Sequence, residues 1–176
     1  MNLVTHKFLK REDLENRDYQ SNLSKACLEQ STLVILPTGM GKTVVALRIM
    51  LERLDAGKIL LMAPTKPLAQ QHFDFFNDFL KAKVNLFTGA ISPSERVPLW
   101  SSSQVIISTP QVISKDIEAN RASLTDFSLV IFDEAHRAVG NYAYVSIGQH
   151  YSEVAKNHLS TGMTASPGSS KPEIIR

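Results

Sequence analysis

The chain has 176 residues, of which 43% are hydrophobic and 20% are charged, a balance typical of a folded globular protein. This length is too short for two enzyme domains of ordinary size, so residues 1–176 are predicted to form one domain with a packed core. A net charge of +2 without a polybasic run does not by itself indicate a nucleic-acid partner. The single cysteine, Cys27, excludes an internal disulfide and a cysteine-cluster metal site and suits a reducing cytosol.

Apolar runs in the sequence are short. Residues 1–17 contain several charged side chains and lack the continuous apolar stretch of a signal peptide, so export is not predicted. Runs such as Ile59–Ala63 and Leu129–Phe132 span about five residues, far fewer than the ~20 that a membrane-spanning helix needs. A soluble, cytoplasmic protein without a membrane partner is predicted.

Six short apolar runs predict the strands, in chain order Thr32–Leu36, Lys58–Met62, Val84–Phe87, Val105–Ser108, Leu129–Phe132 and His158–Thr161. Their apolar residues occupy consecutive positions, which is typical of strands buried on both faces. Four segments between them are long enough for helices, namely Lys42–Asp55, Pro67–Lys81, Pro110–Asn120 and Tyr142–Lys156. The Ser- and Pro-rich segment Thr88–Ser103 is predicted to be a loop with a short helix.

Alternation of strands and helices predicts an α/β fold with a mainly parallel sheet and helices on both faces. In such folds ligands bind at the carboxyl ends of the strands. The segment after the first strand, Leu36-Pro37-Thr38-Gly39-Met40-Gly41-Lys42-Thr43, runs directly into a predicted helix and is typical of a phosphate-binding P-loop. Lys42 is predicted to reach the phosphates of ATP, and Thr43 to offer its hydroxyl to Mg²⁺. Leu36 stands where the strict pattern has glycine.

Two adjacent carboxylates follow the fifth predicted strand, about 90 residues after the P-loop. Asp133 is predicted to hold Mg²⁺, and Glu134 to orient or deprotonate the attacking water. His136 is not expected to bind metal, because none of the other histidines (His6, His72, His150 and His158) lies at ligand spacing from it. We expect His136 to link this acidic loop to a neighbouring strand by a hydrogen bond.

These strings, in this order, resemble the signature of superfamily 2 helicases. Pro37–Thr43 resembles motif I, Asp133-Glu134-Ala135-His136 resembles motif II, and Thr164-Ala165-Ser166 resembles motif III. The longer strings Ala63-Pro64-Thr65-Lys66-Pro67-Leu68, Asp133–Tyr144 and Thr164–Gly168 are similar to those of the archaeal Hef helicases and their eukaryotic relative FANCM. The resemblance extends from about Arg17 to Gly168.

The resemblance implies a three-layer RecA-like P-loop domain, in which the strand before motif III lies between those before motifs I and II. It implies that Arg17, Tyr19 and Gln20 belong to an adenine-recognising motif. It implies nucleic-acid contacts at the turns that contain Thr65, Lys66, Gly89, Thr109, Pro110 and Gln111. His136, Thr164 and Ser166 would then couple the nucleotide state to the nucleic-acid surface.

Motifs IV to VI are absent, so the resemblance implies the first half of a two-domain motor whose second RecA-like domain is missing. In this family an arginine from motif VI completes the catalytic site, and such arginines contribute roughly 10³ to 10⁵ in rate. The chain is therefore expected to bind ATP and Mg²⁺ but to be inactive or very weak alone. It would act on branched, forked or single-stranded DNA in replication-fork repair, at the nucleoid if the organism is archaeal.

Other functions stay open on the sequence. An RNA helicase domain is one alternative. The motifs do not distinguish RNA from DNA, because loops that hold phosphates carry little base information. A non-catalytic module that senses nucleotide is the non-enzymatic alternative. A small P-loop kinase shares motif I, but the sequence contains neither an acceptor pocket nor an arginine-bearing lid, and it would leave motif III unexplained.

Overall fold

Six parallel strands form one sheet in the computed structural model, which describes residues 2–166. The strands are β1 Thr32–Ile35, β2 Lys58–Met62, β3 Val84–Phe87, β4 Val105–Ser108, β5 Phe127–Asp133 and β6 Ser160–Thr164. Their order across the sheet is β1-β6-β5-β2-β4-β3. The expected placement of the last strand between those that precede the P-loop and the acidic loop is therefore confirmed.

Helices cover both faces of this sheet. They are α1 Asp18–Glu29, α2 Lys42–Arg53, α3 Lys66–Phe79, α4 Pro93–Ser102, α5 Pro110–Glu118 and α6 Ala143–Val154, with a 3₁₀ turn at Ala135–Arg137. Successive residues of β2 point to opposite faces. Ile59 and Leu61 join the core under α1–α3, whereas Leu60 and Met62 join the core under α4–α6. The predicted three-layer α/β fold is confirmed.

The main differences from the sequence prediction concern α1, β6 and α4. Helix α1 was not predicted, because its polar sequence buries only Gln20, Ser24 and Cys27. Strand β6 begins two residues later than predicted and extends to Thr164. Its Ser and Thr residues are buried although they are polar, so a prediction from apolar runs did not find its bounds. The short helix predicted within Thr88–Ser103 is α4, which takes up ten residues of that segment and begins with a capping box between Ser92 and Glu95. No helix within residues 2–166 is both long and apolar enough to span a membrane.

A buried ionic cluster joins α4 to α5. The fully buried carboxylate of Asp116 accepts two hydrogen bonds from Arg96, at 2.7 and 2.8 Å, one from the indole of Trp100 at 2.8 Å and one from Arg121 at 2.9 Å. Burial alone raises the pKa of this carboxyl group, but the hydrogen bonds outweigh burial and lower the pKa to about 2. Asp116 is therefore ionised and neutralised by its neighbours at physiological pH.

Candidate nucleotide-binding site

The P-loop adopts a backbone conformation that requires glycine. Gly39 and Gly41 have φ angles of +85° and +83°, and helix α2 begins immediately afterwards at Lys42. The ammonium group of Lys42 donates to the carbonyl oxygen of Leu36 at 3.0 Å. Within residues 2–166 no carboxylate lies within 4.0 Å of that ammonium group. A cation and a helix N-terminus without an anionic protein partner suit a phosphate group.

Two of the three residues predicted to recognise adenine, Tyr19 and Gln20, lie beside this loop. The hydroxyl of Tyr19 donates to the carbonyl oxygen of Met40 at 2.8 Å, and Gln20 is 3% exposed. A Cβ atom on Gly41 would lie 2.2 Å from the side-chain nitrogen of Gln20, so the glycine is needed for close packing as well as for its φ angle. Arg17 is exposed and precedes α1. The structure thus brings Tyr19 and Gln20 to the P-loop.

The predicted metal-binding carboxylate ends strand β5. One oxygen of Asp133 (Oδ1) accepts the backbone N–H of Glu134 at 2.9 Å. The other (Oδ2) lies 2.8 Å from Nε2 of His72, which is on α3. Glu134 has a left-handed φ angle of +53°, and its side chain is one-third exposed. The sequence spacing of the histidines gave no sign of the His72 contact, because the two residues are 61 positions apart.

Tyr144 fixes the backbone on which Asp133 lies. Its buried hydroxyl shares its one hydrogen between the carbonyl oxygens of Asp133 at 2.8 Å and of Met62 at 3.0 Å. Burial raises the pKa of Tyr144 well above its ordinary value, so the hydroxyl keeps the proton that it donates. The carboxyl ends of β5 and β2 are tied together in this way. In the sequence, Tyr144 is distinguished only as part of the string Asp133–Tyr144.

Thr164, at the end of β6, connects the P-loop to the acidic loop. Its carbonyl oxygen accepts the N–H of Leu36 at 3.1 Å, and its hydroxyl oxygen lies 2.9 Å from Nδ1 of His136. The same hydroxyl donates to the carbonyl oxygen of Ser166 at 2.6 Å, while the N–H of Ser166 donates back at 3.1 Å. The expected hydrogen bond from His136 to a neighbouring strand is present. Pro167 and Gly168, which complete the motif III string, and Arg176 lie outside the described residues.

The donor set suits Mg²⁺ bound together with phosphates. Mg²⁺ in nucleotide sites takes one or two protein oxygens and completes its shell with phosphate and water. Thr43 and Asp133 supply a hydroxyl and a carboxylate of this kind. Among the described residues there is no group of three or more His, Cys, Asp and Glu that would hold a metal without such help.

Most of the predicted nucleic-acid residues meet at one depression of about 270 Å³, lined by Pro64, Lys66, Gly89, Thr109, Gln111, Val112 and Lys115. Thr65 lies beside it and caps α3, accepting the N–H of Leu68 at 3.4 Å. Pro110 is buried at the start of α5. Lys115 was missed by sequence analysis, although it stands on the same face of α5 as Gln111, one helical turn away.

Comparison with protein families identifies the class. Residues 17–174 match the DEAD/DEAH box helicase family, and the chain belongs to that family. The match includes both the P-loop and the acidic loop. Membership of this ATP-dependent family establishes that the chain is built to bind nucleotide.

Particular relatives refine this class. The Hef helicase domain of Pyrococcus furiosus has the same fold, with 48% identity and a TM-score of 0.88 over 96% of this chain and 37% of that one. The ATP-dependent DNA helicase mph1 of Neurospora crassa is 37% identical over 88% of this chain and 14% of its own length. The Arabidopsis thaliana protein described as DEAD-box ATP-dependent RNA helicase FANCM is 36% identical over 90% of this chain and 12% of its own length. The chain thus spans a minor part of each relative, and its closeness to Hef and FANCM is confirmed.

Proposed function

We propose that this chain is the ATP- and Mg²⁺-binding half of a DNA-dependent motor, and that it needs a second RecA-like domain for rapid turnover. The main supporting observation is the meeting of the P-loop and the acidic loop at one edge of the sheet, joined through Thr164. Lys42 follows β1, and Asp133 and Glu134 follow β5, so we propose that they contact the same ligand from the two strand ends that flank β6.

Each site residue has a separate chemical task in this proposal. The amides of the P-loop and the ammonium group of Lys42 hold the phosphates, while Tyr19 and Gln20 lie where the adenine would be recognised. Thr43 and Asp133 hold Mg²⁺. When bound there, Mg²⁺ would neutralise the negative charge that develops on the phosphates. Glu134 orients the attacking water and accepts its proton.

Nucleic acid is proposed to bind at the depression between α3 and α5. Two cations, Lys66 and Lys115, and the exposed side chain of Gln111 line it. Helix α3 supports a link to the nucleotide, because its first residue is Lys66 and its His72 contacts Asp133. His136, Thr164 and Ser166 are proposed to form a second link from the nucleotide to the nucleic-acid surface.

DNA is the favoured nucleic acid. The Neurospora relative is described as a DNA helicase. The Pyrococcus Hef helicase domain resembles this chain over 96% of this chain's length. The Arabidopsis relative is described as an RNA helicase, which keeps RNA as the second candidate. We propose branched or forked DNA in fork repair as the natural substrate.

The half-motor proposal is based on the negative charge that develops on the phosphoryl group during ATP hydrolysis. Phosphoryl transfer gathers negative charge on the transferred group, and arginine fingers that stabilise it contribute roughly 10³ to 10⁵ in rate. We propose that a partner domain supplies such an arginine. The chain alone is then expected to hydrolyse ATP near background and to unwind nothing, since stepping needs two domains that grip one strand.

Nucleotide binding is tested by titrating a fluorescent ATP analogue in the presence of Mg²⁺. Lys42→Ala is expected to abolish most binding, because the phosphates lose their only lysine in the P-loop. Lys66→Ala is the matched control and should bind the analogue like the wild type. Equal affinities in all three proteins would contradict the assignment of the P-loop.

Nucleic-acid binding is tested by fluorescence anisotropy with single-stranded, duplex and forked DNA and with RNA of equal length. The expected binding is weak and insensitive to sequence, with a salt slope on the order of −2 to −4 because only a few phosphates are neutralised. Lys66→Ala and Lys115→Ala should each reduce the slope by about 1. Tighter binding to RNA than to every DNA would favour the second candidate.

Turnover is tested by adding the second domain, either in one chain or separately. ATPase activity stimulated by forked DNA should emerge only in its presence, and Glu134→Gln should remove that activity while leaving the analogue bound. Rapid ATP-dependent unwinding by residues 1–176 alone, in a preparation free of other helicases, would refute the half-motor proposal. Nucleotide binding that no nucleic acid affects, with or without the second domain, would favour a nucleotide-sensing module.

A further inference from the structure

His72 makes a contact with the candidate metal site that none of the motifs accounts for. Its Nε2 atom lies 2.8 Å from Oδ2 of Asp133, and the two side chains are only 12% and 9% exposed. The imidazole ring also stacks on Phe76, one turn further along α3, with ring centroids 6.0 Å apart. The ring is thus held between its own helix and the end of β5.

The contact orients the Asp133 carboxylate and leaves some of its lone pairs free to bind a cation. A carboxylate offers about four lone-pair directions. In Asp133 one is taken by the N–H of Glu134 and one by His72. Within residues 2–166 no lysine or arginine lies within 4.0 Å of Asp133, so the remaining lone pairs are not turned toward a competing cation. They are available to Mg²⁺ or to its bound water.

The donor role of His72 does not depend on its charge. Nε2 carries a hydrogen both in the imidazolium ion and in the neutral Nε2–H tautomer, and each form can donate to Asp133. Because a carboxylate only accepts, this donation fixes the rotation of the Asp133 side chain. Outer partners that orient a metal-binding carboxylate in this way typically change metal affinity 10- to 100-fold when removed.

We propose that His72 is a positioning residue that holds the Asp133 carboxylate in its Mg²⁺-binding orientation. This inference rests on the proposed binding of Mg²⁺ and ATP at the P-loop. It predicts that removing the Nε2 donor weakens Mg²⁺-dependent nucleotide binding and leaves Mg²⁺-independent binding unchanged.

The test compares three His72 variants and one control variant of the full chain. His72→Phe keeps a ring against Phe76 but removes the donor, and His72→Leu removes both. His72→Gln keeps an N–H donor three bonds from Cβ, as in histidine. Gln71→Leu, at an exposed neighbouring position on α3, is the matched control. Thermal unfolding confirms that each variant is folded before binding is compared.

The measurement is the affinity for a fluorescent ADP analogue across a Mg²⁺ series and in EDTA. The Mg²⁺ concentration for half-maximal enhancement should rise 10- to 100-fold in His72→Phe and His72→Leu, with affinity in EDTA unchanged. His72→Gln and Gln71→Leu should stay within about threefold of the wild type, because the first retains the donor and the second does not contact Asp133.

Other outcomes separate this inference from the proposed function. If nucleotide binding depends on Mg²⁺ equally in the wild type and in His72→Phe, the role of His72 is overturned and the proposed function is not. Tighter Mg²⁺ binding in His72→Phe would make His72 a competitor of the metal and would also overturn the inference. Wild-type binding that ignores Mg²⁺ would overturn both, and retention of binding in Lys42→Ala would locate that failure at the P-loop. An equal loss in His72→Gln would exclude hydrogen-bond donation as the cause.

Discussion

Asp116 and Asp133 are both buried, at 0% and 6% exposure, but their surroundings differ. Asp116 accepts four hydrogen bonds from two arginines and a tryptophan. Asp133 accepts one backbone N–H and contacts one histidine, and no lysine or arginine within residues 2–166 pairs with it. The comparison separates a carboxylate whose partners are all internal from one that still has capacity for an external cation.

This difference has a physical reason. A buried charge costs several kcal/mol unless it is paired and hydrogen-bonded, so Asp116 is stable only inside its cluster. Asp133 lies at the carboxyl end of a parallel strand, where the sheet opens toward solvent and ligands bind. We therefore expect mutations at Asp116 to affect folding and mutations around Asp133 to affect binding, with four measurements ordered by the size of the expected effect.

The largest effect is expected for Asp116→Asn. It leaves the buried guanidinium of Arg96 without its counter-charge, which should lower the free energy of unfolding by about 3–5 kcal/mol. Urea denaturation measures this loss. Glu118→Gln, at an exposed position on the same helix, should change stability by less than ~0.5 kcal/mol. Asp133→Asn should cost about 1 kcal/mol or less, since it keeps an oxygen acceptor and leaves no arginine unpaired. Equal losses at both aspartates would break the comparison.

Lowering the pH should also weaken the Asp116 cluster, with a smaller loss in the free energy of unfolding. The pKa of Asp116 is lowered from its ordinary 3.8 to about 2 in the folded chain. A lowered folded-state pKa means that the stabilisation is fully present above pH ~4 and is lost as the pH falls through 3.8 toward 2. The stability difference between the wild type and Asp116→Asn should shrink by about 2 kcal/mol over that range. Urea titrations at several pH values measure it, and a constant difference would show that Asp116 does not titrate as stated.

Replacing the P-loop glycines should lower the free energy of unfolding by an intermediate amount. Gly39→Ala meets only backbone strain, about 1–2 kcal/mol, because among residues 2–166 no atom beyond its two chain neighbours lies within 4 Å of the new Cβ. Gly41→Ala adds a collision with the side chain of Gln20 and should cost more. Adding Gln20→Ala to Gly41→Ala should relieve that extra cost but not the strain. A double-mutant cycle by denaturation measures this, and an additive result would contradict the close packing.

The smallest of the four effects is expected for Tyr144→Phe. Loss of the hydroxyl that bridges the carbonyl oxygens of Met62 and Asp133 should lower the free energy of unfolding by about 1 kcal/mol. Tyr142→Phe is the matched control, being a half-buried tyrosine of the same segment with no hydroxyl hydrogen bond in the described structure, and it should change stability by less than ~0.5 kcal/mol. A similar loss in both variants would exclude the bridge as the cause.

Sequence reasoning succeeded where local pattern and burial coincide. Strands β2, β3 and β4 match their predicted bounds, since strands buried on both faces are continuous apolar runs. It misplaced the bounds of the interior strand β6, whose Ser160, Thr161 and Thr164 are polar and yet fully or almost fully buried. It also missed α1 and shortened α4, although the Ser92–Glu95 capping box was a readable signal for the latter.

The sequence by itself determined the α/β fold, the P-loop and the acidic pair, because each is encoded within a few neighbouring residues whose chemistry requires that spacing. Only the tertiary structure decided which distant residues complete them. The contacts of His72 with Asp133 and of Tyr144 with Met62 span 61 and 82 positions, and the Asp116 cluster draws on α4, α5 and the loop that follows α5. Such contacts depend on how helices cross the sheet, and that geometry is set by packing of the whole core rather than by any local pattern.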